Sequence, residues 1–129
     1  MIIVRNSFIP FDGYKAMSIW PIIFVRKECN FNKIDERHEE IHGRQQIEMA
    51  AVGAVLALIL CLIGFGWWSM CAIPLFYIWY ITEWIIRLFI DKNPYRSISF
   101  EQEAYGNERV PEYLEYRRFF AWVKYLFKS

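Results

Sequence analysis

The sequence predicts a single α+β integral membrane domain. It has an N-terminal β-hairpin or small sheet, a two-span transmembrane helical hairpin and a C-terminal amphipathic helix. Three observations carry this. An uncharged apolar stretch fills the middle of the chain. Short β-branched and aromatic runs precede it, and aromatic and basic residues intermingle after it. A length of 129 residues sets the domain count at one. A hydrophobic share of 56% excludes a disordered chain. A net charge of +1 lacks the basic excess of a nucleic-acid binder, so no nucleic-acid partner is expected. Cys29, Cys61 and Cys71 are odd in number and form no CxxC, so a disulfide framework is not expected. A reducing compartment or burial in lipid suits them.

No Asp, Glu, Lys or Arg occurs between Glu48 and Glu83. One straight helix over that stretch would run roughly 50 Å, well beyond a bilayer core of about 30 Å. Two spans fit instead: Ile47 to Ile63 and Trp67 to Ile90, with Gly64-Phe65-Gly66 as the turn. In segments, residues 32–64 hold the first long helix and 67–91 the second span. Trp67 and Trp68 at the tip suit an aromatic belt. All 15 Lys and Arg residues lie up to Arg44 or from Arg87 onward. The positive-inside rule then puts both termini in the cytoplasm, with a bacterial inner membrane as the setting and the lipid bilayer as a partner. Met1-Ile2-Ile3-Val4 has no basic n-region or cleavage site, so no signal peptide is expected.

Residues 1–31 read as β-rich. Ile2-Ile3-Val4 and Phe8-Ile9-Pro10-Phe11 are apolar runs, and Asp12-Gly13 is a hairpin turn signal. Ala16 to Val25 reads as one strand, closed by Arg26-Lys27-Glu28. Pro21 removes a backbone donor and makes it an edge strand, able to pair with an extended peptide or to cover the core. A helix starts at Asn32, which forms a capping-box pattern with Asp35. Only Gly43 and Gly53 interrupt good helix formers from Lys33 to Ile63.

The chemistry-bearing run is His38-Glu39-Glu40-Ile41-His42, an HExxH motif. On a helix, i and i+4 share a face, so both imidazoles can bind one ion. Zn²⁺ takes imidazole nitrogens at about 2.0–2.1 Å in a tetrahedral site. Glu39 is placed to act as the general base of a metallopeptidase. The chain's two histidines are both consumed by this motif, so the third ligand must be a carboxylate. Candidates lie in residues 97–129, which follow the second span and begin with a third-ligand helix. Asn93-Pro94 ends the preceding helix, and Ser97 or Ser99 can cap the next. Glu101 then falls in its first turn, with Ala104 and Tyr105 at i+3 and i+4; Glu103 lies on another face. Small Ala104 and Gly43 would let the two helices approach closely.

HExxH on a helix running into the membrane, followed by E-x-x-A, resembles the gluzincin metallopeptidases. Among these the chain is most similar to the membrane-embedded HtpX and CAAX-prenyl-protease group, and to small bacterial membrane proteins with H-E-x-x-H-x-R-Q-Q and S-F-E-x-E-A-Y runs. The resemblance covers Asn32 to about Asn107. It implies a zincin-like fold, Zn²⁺ as cofactor and Glu101 as the third ligand, with Glu103 the second choice. Tyr105 stands where that group has an Asp that orients a ligand.

The remaining polar residues have narrower readings. Gln45 and Gln46 are placed to hydrogen-bond near the metal or substrate, or to lie at the interface. Glu83 and Arg87 read as a structural ion pair at the membrane boundary, with Glu48 at similar depth able to join them. Tyr105 reads as a packed helix tyrosine, with donation to an oxyanion as the alternative. Glu112 to Ser129 reads as an amphipathic anchor on the cytoplasmic leaflet. Together these expectations describe a zinc metalloendopeptidase acting on a peptide or protein substrate at the cytoplasmic membrane face. The alternative is a non-enzymatic membrane protein whose metal or polar cluster ties helices together for partner binding.

Overall fold

The computed structural model describes residues 2–8 and 14–127. The Asp12-Gly13 turn signal and most of the Phe8–Phe11 run lie outside them. β1 (Ile2–Asn6), β2 (Ala16–Ile19) and β3 (Ile22–Arg26) form a sheet in the order β1-β3-β2. β1 runs parallel to β3, and β2 antiparallel to it with Ser18 opposite Ile23. The single strand expected from Ala16 to Val25 is therefore two. The chain reverses at Trp20-Pro21, a cis peptide, so Pro21 sits in the turn rather than at a sheet edge. β3 is the central strand and turns Ile23 and Val25 fully inward.

α1 (Lys33–Leu62) begins as the sequence predicts. The Asn32 side chain accepts from the Asp35 N–H at 2.9 Å, and the Asp35 carboxylate accepts from the Asn32 N–H at 3.2 Å. It ends at a turn where Gly64 and Gly66 take φ of +105° and +58°, a region that L side chains resist. Its two halves differ in kind. Polar His38, Glu39, His42, Gln45, Gln46 and Glu48 are buried in the first, whereas apolar Val55, Leu58, Ile59 and Leu62 are exposed in the second. α1 is long and apolar enough to cross a membrane. Only 28% of its most apolar window is buried, unlike a soluble core helix.

The second span is not shown as one straight helix. A 3-10 helix (Gly66–Ala72) returns along α1, and α2 (Leu75–Leu88) follows at a bend of 63°. Pro74 explains the break: it has no N–H for a helix interior, so it opens α2 at the N-cap. The return is close. A Cβ on Gly53 would lie 2.5 Å from the Ala72 carbonyl oxygen, so only glycine fits there.

Two helical segments then bring the chain back to the polar end of α1: α3 (Pro94–Ser97) and α4 (Ser99–Asn107). Ile98, not a serine, is the N-cap of α4. The capping carboxylate comes from α2 instead. Glu83 accepts from the Ser99 N–H at 2.8 Å and the Ser99 hydroxyl at 2.7 Å, while Arg87 donates to it at 3.2 Å. A carboxylate is favoured at that positive helix end. Glu48 does not join this pair; it binds Arg117, through paired contacts of 3.0 Å.

The C-terminal amphipathic helix is likewise replaced. The segment forms α5 (Tyr113–Tyr116) and a short 3-10 helix (Ala121–Tyr125), with left-handed Phe120 between them. It folds inward because Trp122 and Arg117 are both held by the core. Trp122 packs edge-on to Phe100 at 4.7 Å, and Phe100 stacks on Phe76 at 4.6 Å. These join Met49 and Ile98 in the main core; Ile41, Ala104 and Tyr113 form a second cluster between α1, α4 and α5.

Phe100 is wholly buried at the centre of the aromatic stack. Phe100→Ala should cost about 3–5 kcal/mol in denaturant unfolding of the detergent-solubilised chain.

Candidate metal centre

His38 and His42 lie one turn apart on the buried face of α1, and Glu101 faces them from the first turn of α4. His38 Nε2 and His42 Nε2 are 3.2 Å apart. Glu101 Oε2 lies 3.2 Å from His38 Nε2, and its Oε1 3.2 Å from His42 Nε2. These three residues form a group that could hold a metal ion.

The other ring nitrogens are already engaged. His38 Nδ1 meets Glu108 Oε2 at 2.7 Å, and His42 Nδ1 meets Gln45 Oε1 at 2.8 Å. Both partners are acceptors, so both Nδ1 atoms carry the proton as donors. Each Nε2 of a neutral ring then presents a lone pair to the other and to a carboxylate. Only a cation or a shared proton satisfies that arrangement. Tyr80 donates to Glu101 Oε1 at 2.8 Å and fixes the carboxylate from α2.

The electrostatics follow from this crowding. Burial alone would lower the His42 pKa, but the adjoining Glu101 carboxylate outweighs it and pushes it up to about 9. Burial alone would raise Glu101, yet His42 and His38 hold it well below the usual carboxylate range. Glu39 is also buried, and burial raises its carboxyl above its ordinary value, partly opposed by His42 and His38. A carboxylate in such surroundings is a stronger proton acceptor than one in water.

The other expected residues are placed as follows. Glu103 points away from the imidazoles to Arg117, at 2.5 and 3.0 Å, and to the Tyr113 hydroxyl at 2.8 Å. The Tyr105 ring packs against His38 at 4.6 Å, under Arg96 at 4.2 Å. Gln45 serves His42. Gln46 serves the sheet: its carboxamide accepts from the Trp20 N–H at 2.7 Å and donates to the Ser18 carbonyl at 2.8 Å. Tyr77 donates to the same carbonyl at 2.9 Å. Beside this contact opens an apolar cavity of about 360 Å³ lined by Ile19, Trp20, Ala50, Phe76 and Tyr77.

Two residues of the site were not anticipated from sequence. Glu108 supplies next to His38 the carboxylate that Tyr105 does not. Its signal was present, since Glu108 is two helical turns beyond Glu101 on the same face. Tyr80 carried no local signal, because only the return of α2 brings it to α4. No family model, curated protein or solved structure matches the chain.

The His42 shift sets a pH dependence. A raised pKa stabilises the metal-free fold fully below the ordinary value of 6.5, and that contribution is lost as pH rises through about 9. A metal ion must displace the same proton. Zinc affinity should therefore climb about tenfold per pH unit between 6.5 and 9 and then level off, measured by chelator competition. Glu101→Ala should weaken zinc by more than the 10–100-fold typical of an outer partner, whereas Glu40→Ala should leave it unchanged.

Proposed function

We propose that this chain is a membrane-embedded, zinc-dependent metallopeptidase that hydrolyses a peptide bond at the cytoplasmic membrane face. The observation that carries the reading is the cluster built on HExxH, in which His38 Nε2 and His42 Nε2 stand 3.2 Å apart and each lies 3.2 Å from one oxygen of the Glu101 carboxylate. Ligands 2.0–2.1 Å from a tetrahedral zinc stand about 3.3–3.4 Å apart, so the donor spacing suits that ion. The donor set of two imidazoles and one carboxylate is that of a catalytic zinc, which keeps a fourth position open. Among the described residues no fourth His, Cys, Asp or Glu joins the group, which favours an open site over a closed structural one.

Zinc held there would supply a Lewis acid that makes water nucleophilic near neutral pH. The chain's own residues supply the rest. Glu39, its carboxyl raised by burial, takes the proton of the attacking water and returns it to the leaving amine. Glu108 and Gln45 keep both imidazoles in the ligating tautomer. β2 borders the site through Ser18, which hydrogen-bonds the Glu39 carboxyl, and an extended peptide would lie along that edge. The apolar cavity beside it would take a side chain of the peptide. The exposed apolar half of α1 supports a site near the membrane surface, and the clustering of Lys and Arg at both chain ends supports a cytoplasmic face.

Glu39→Gln separates binding from chemistry. It should keep about one zinc per chain by elemental analysis and lower cleavage of a fluorogenic peptide library by about 10²- to 10⁴-fold. Loss of the metal would remove Glu39 from the role of base. Absence of zinc from the wild type, purified without chelator, would overturn the peptidase reading.

A further inference from the structure

A second, buried polar cluster joins α1, α4 and the C-terminal segment. Arg117 enters it from the C-terminal segment. Its guanidinium grips Glu48 on α1 with two contacts of 3.0 Å and Glu103 on α4 with contacts of 2.5 and 3.0 Å. Tyr113 donates to Glu103 at 2.8 Å, and the Phe120 N–H donates to Glu48 at 2.5 Å. Arg117, Glu48 and Glu103 side chains are all nearly inaccessible to solvent. The cluster touches the metal centre through the carboxamide of Gln45. That amide donates from Nε2 to Glu103 Oε1 and to the Phe100 carbonyl, both at 3.0 Å. Its Oε1 accepts from His42 Nδ1 at 2.8 Å.

We infer that Arg117 is a positioning residue for the metal centre, acting through Glu103 and Gln45 to fix the tautomer of His42. The logic is one of donors and acceptors. A carboxamide has an oxygen end and a nitrogen end, and it can flip. Glu103 and Phe100 offer only acceptors on their side, so the nitrogen must face them. The oxygen must then face His42, which obliges Nδ1 to carry the proton and leaves the Nε2 lone pair for an ion. Arg117 and Tyr113 hold the Glu103 carboxylate in the place from which it does this. The C-terminal segment, far along the chain from the HExxH motif, thus sets the chemistry of one of its nitrogens. The inference rests on the proposed metal centre but has its own readout, the His42 ring.

The test is a double-mutant cycle on the full chain in detergent, using zinc as the probe and folding checked by circular dichroism. Gln45→Met and Arg117→Ala should each weaken zinc about 10- to 100-fold, the range for an outer-shell partner. The double variant should be no weaker than the stronger single. Equal weakening by Arg117→Ala with and without Gln45→Met would overturn the inference, since Arg117 would then act through general stability. So would a folded Arg117→Ala chain with unchanged zinc affinity. If Arg117→Ala does not fold, Arg117→Lys keeps the charge but loses the fork. It should weaken zinc several-fold in the wild-type background and not alongside Gln45→Met. Nitrogen-15 spectra of the chain's two histidines report the relay directly. The His42 Nδ1 proton should be slow to exchange in wild type and fast in Gln45→Met and Arg117→Ala. A wild type without zinc would sink the proposed function, whereas a His42 proton unaffected by either variant would sink the relay alone.

Discussion

Two imidazole nitrogens and a carboxylate cannot face one another across 3.2 Å without positive charge among them. The rest of the structure is arranged around that constraint. Three lone-pair donors brought this close repel unless an ion or a proton lies between them. The metal-free chain meets the requirement by holding a proton on His42 well above its ordinary pKa. Burial makes the demand sharper, because water cannot screen the group. Glu101 is only 2% exposed. The group could hold a cation in place of that proton.

Each member of this group is held from a different part of the chain. His38 is oriented by Glu108 from the end of α4, His42 by Gln45 from its own helix, and Glu101 by Tyr80 from α2. α4 itself starts where Glu83 of α2 accepts its first N–H. α2 thus fixes both where the helix that carries Glu101 begins and how the Glu101 carboxylate points. Paired charges inside a protein are costly in desolvation unless well hydrogen-bonded. Here Glu48, Glu83, Glu103, Arg87 and Arg117 each make several contacts with good geometry. They tie α1, α2, α4 and the C-terminal segment into one polar frame.

α1 joins this frame to an apolar exterior. Its first half buries polar side chains and its second half exposes aliphatic ones, the inverse of a soluble amphipathic helix. Such an inversion along one helix suits an environment that changes from protein to lipid. The bend at Pro74 has the complementary effect. Instead of running out along α1, α2 turns across the polar end, delivering Phe76 and Tyr80 to the site and Glu83 to the start of α4.

The sequence by itself determined what is local. The Asn32 cap, the i,i+4 spacing of His38 and His42, the glycine turn at 64–66 and the apolar reach of α1 are all set by neighbouring residues. Glu101 was legible as a donor candidate because the motif had exhausted the histidines and a helix start lay near it. Strand division at Trp20-Pro21 and the break at Pro74 also had local causes, and proline marked both. What only the tertiary structure decided is which long-range partners meet. Glu103 has the same charge as Glu101 and stands two residues away, yet it faces Arg117 rather than the imidazoles. The C-terminal segment has an amphipathic composition, yet it folds inward because Arg117 and Trp122 find buried partners on α1 and α4. Periodicity assigns a residue to a face of its own helix. Whether that face meets a histidine, an arginine or lipid depends on how the helices pack, and that is a property of the whole fold.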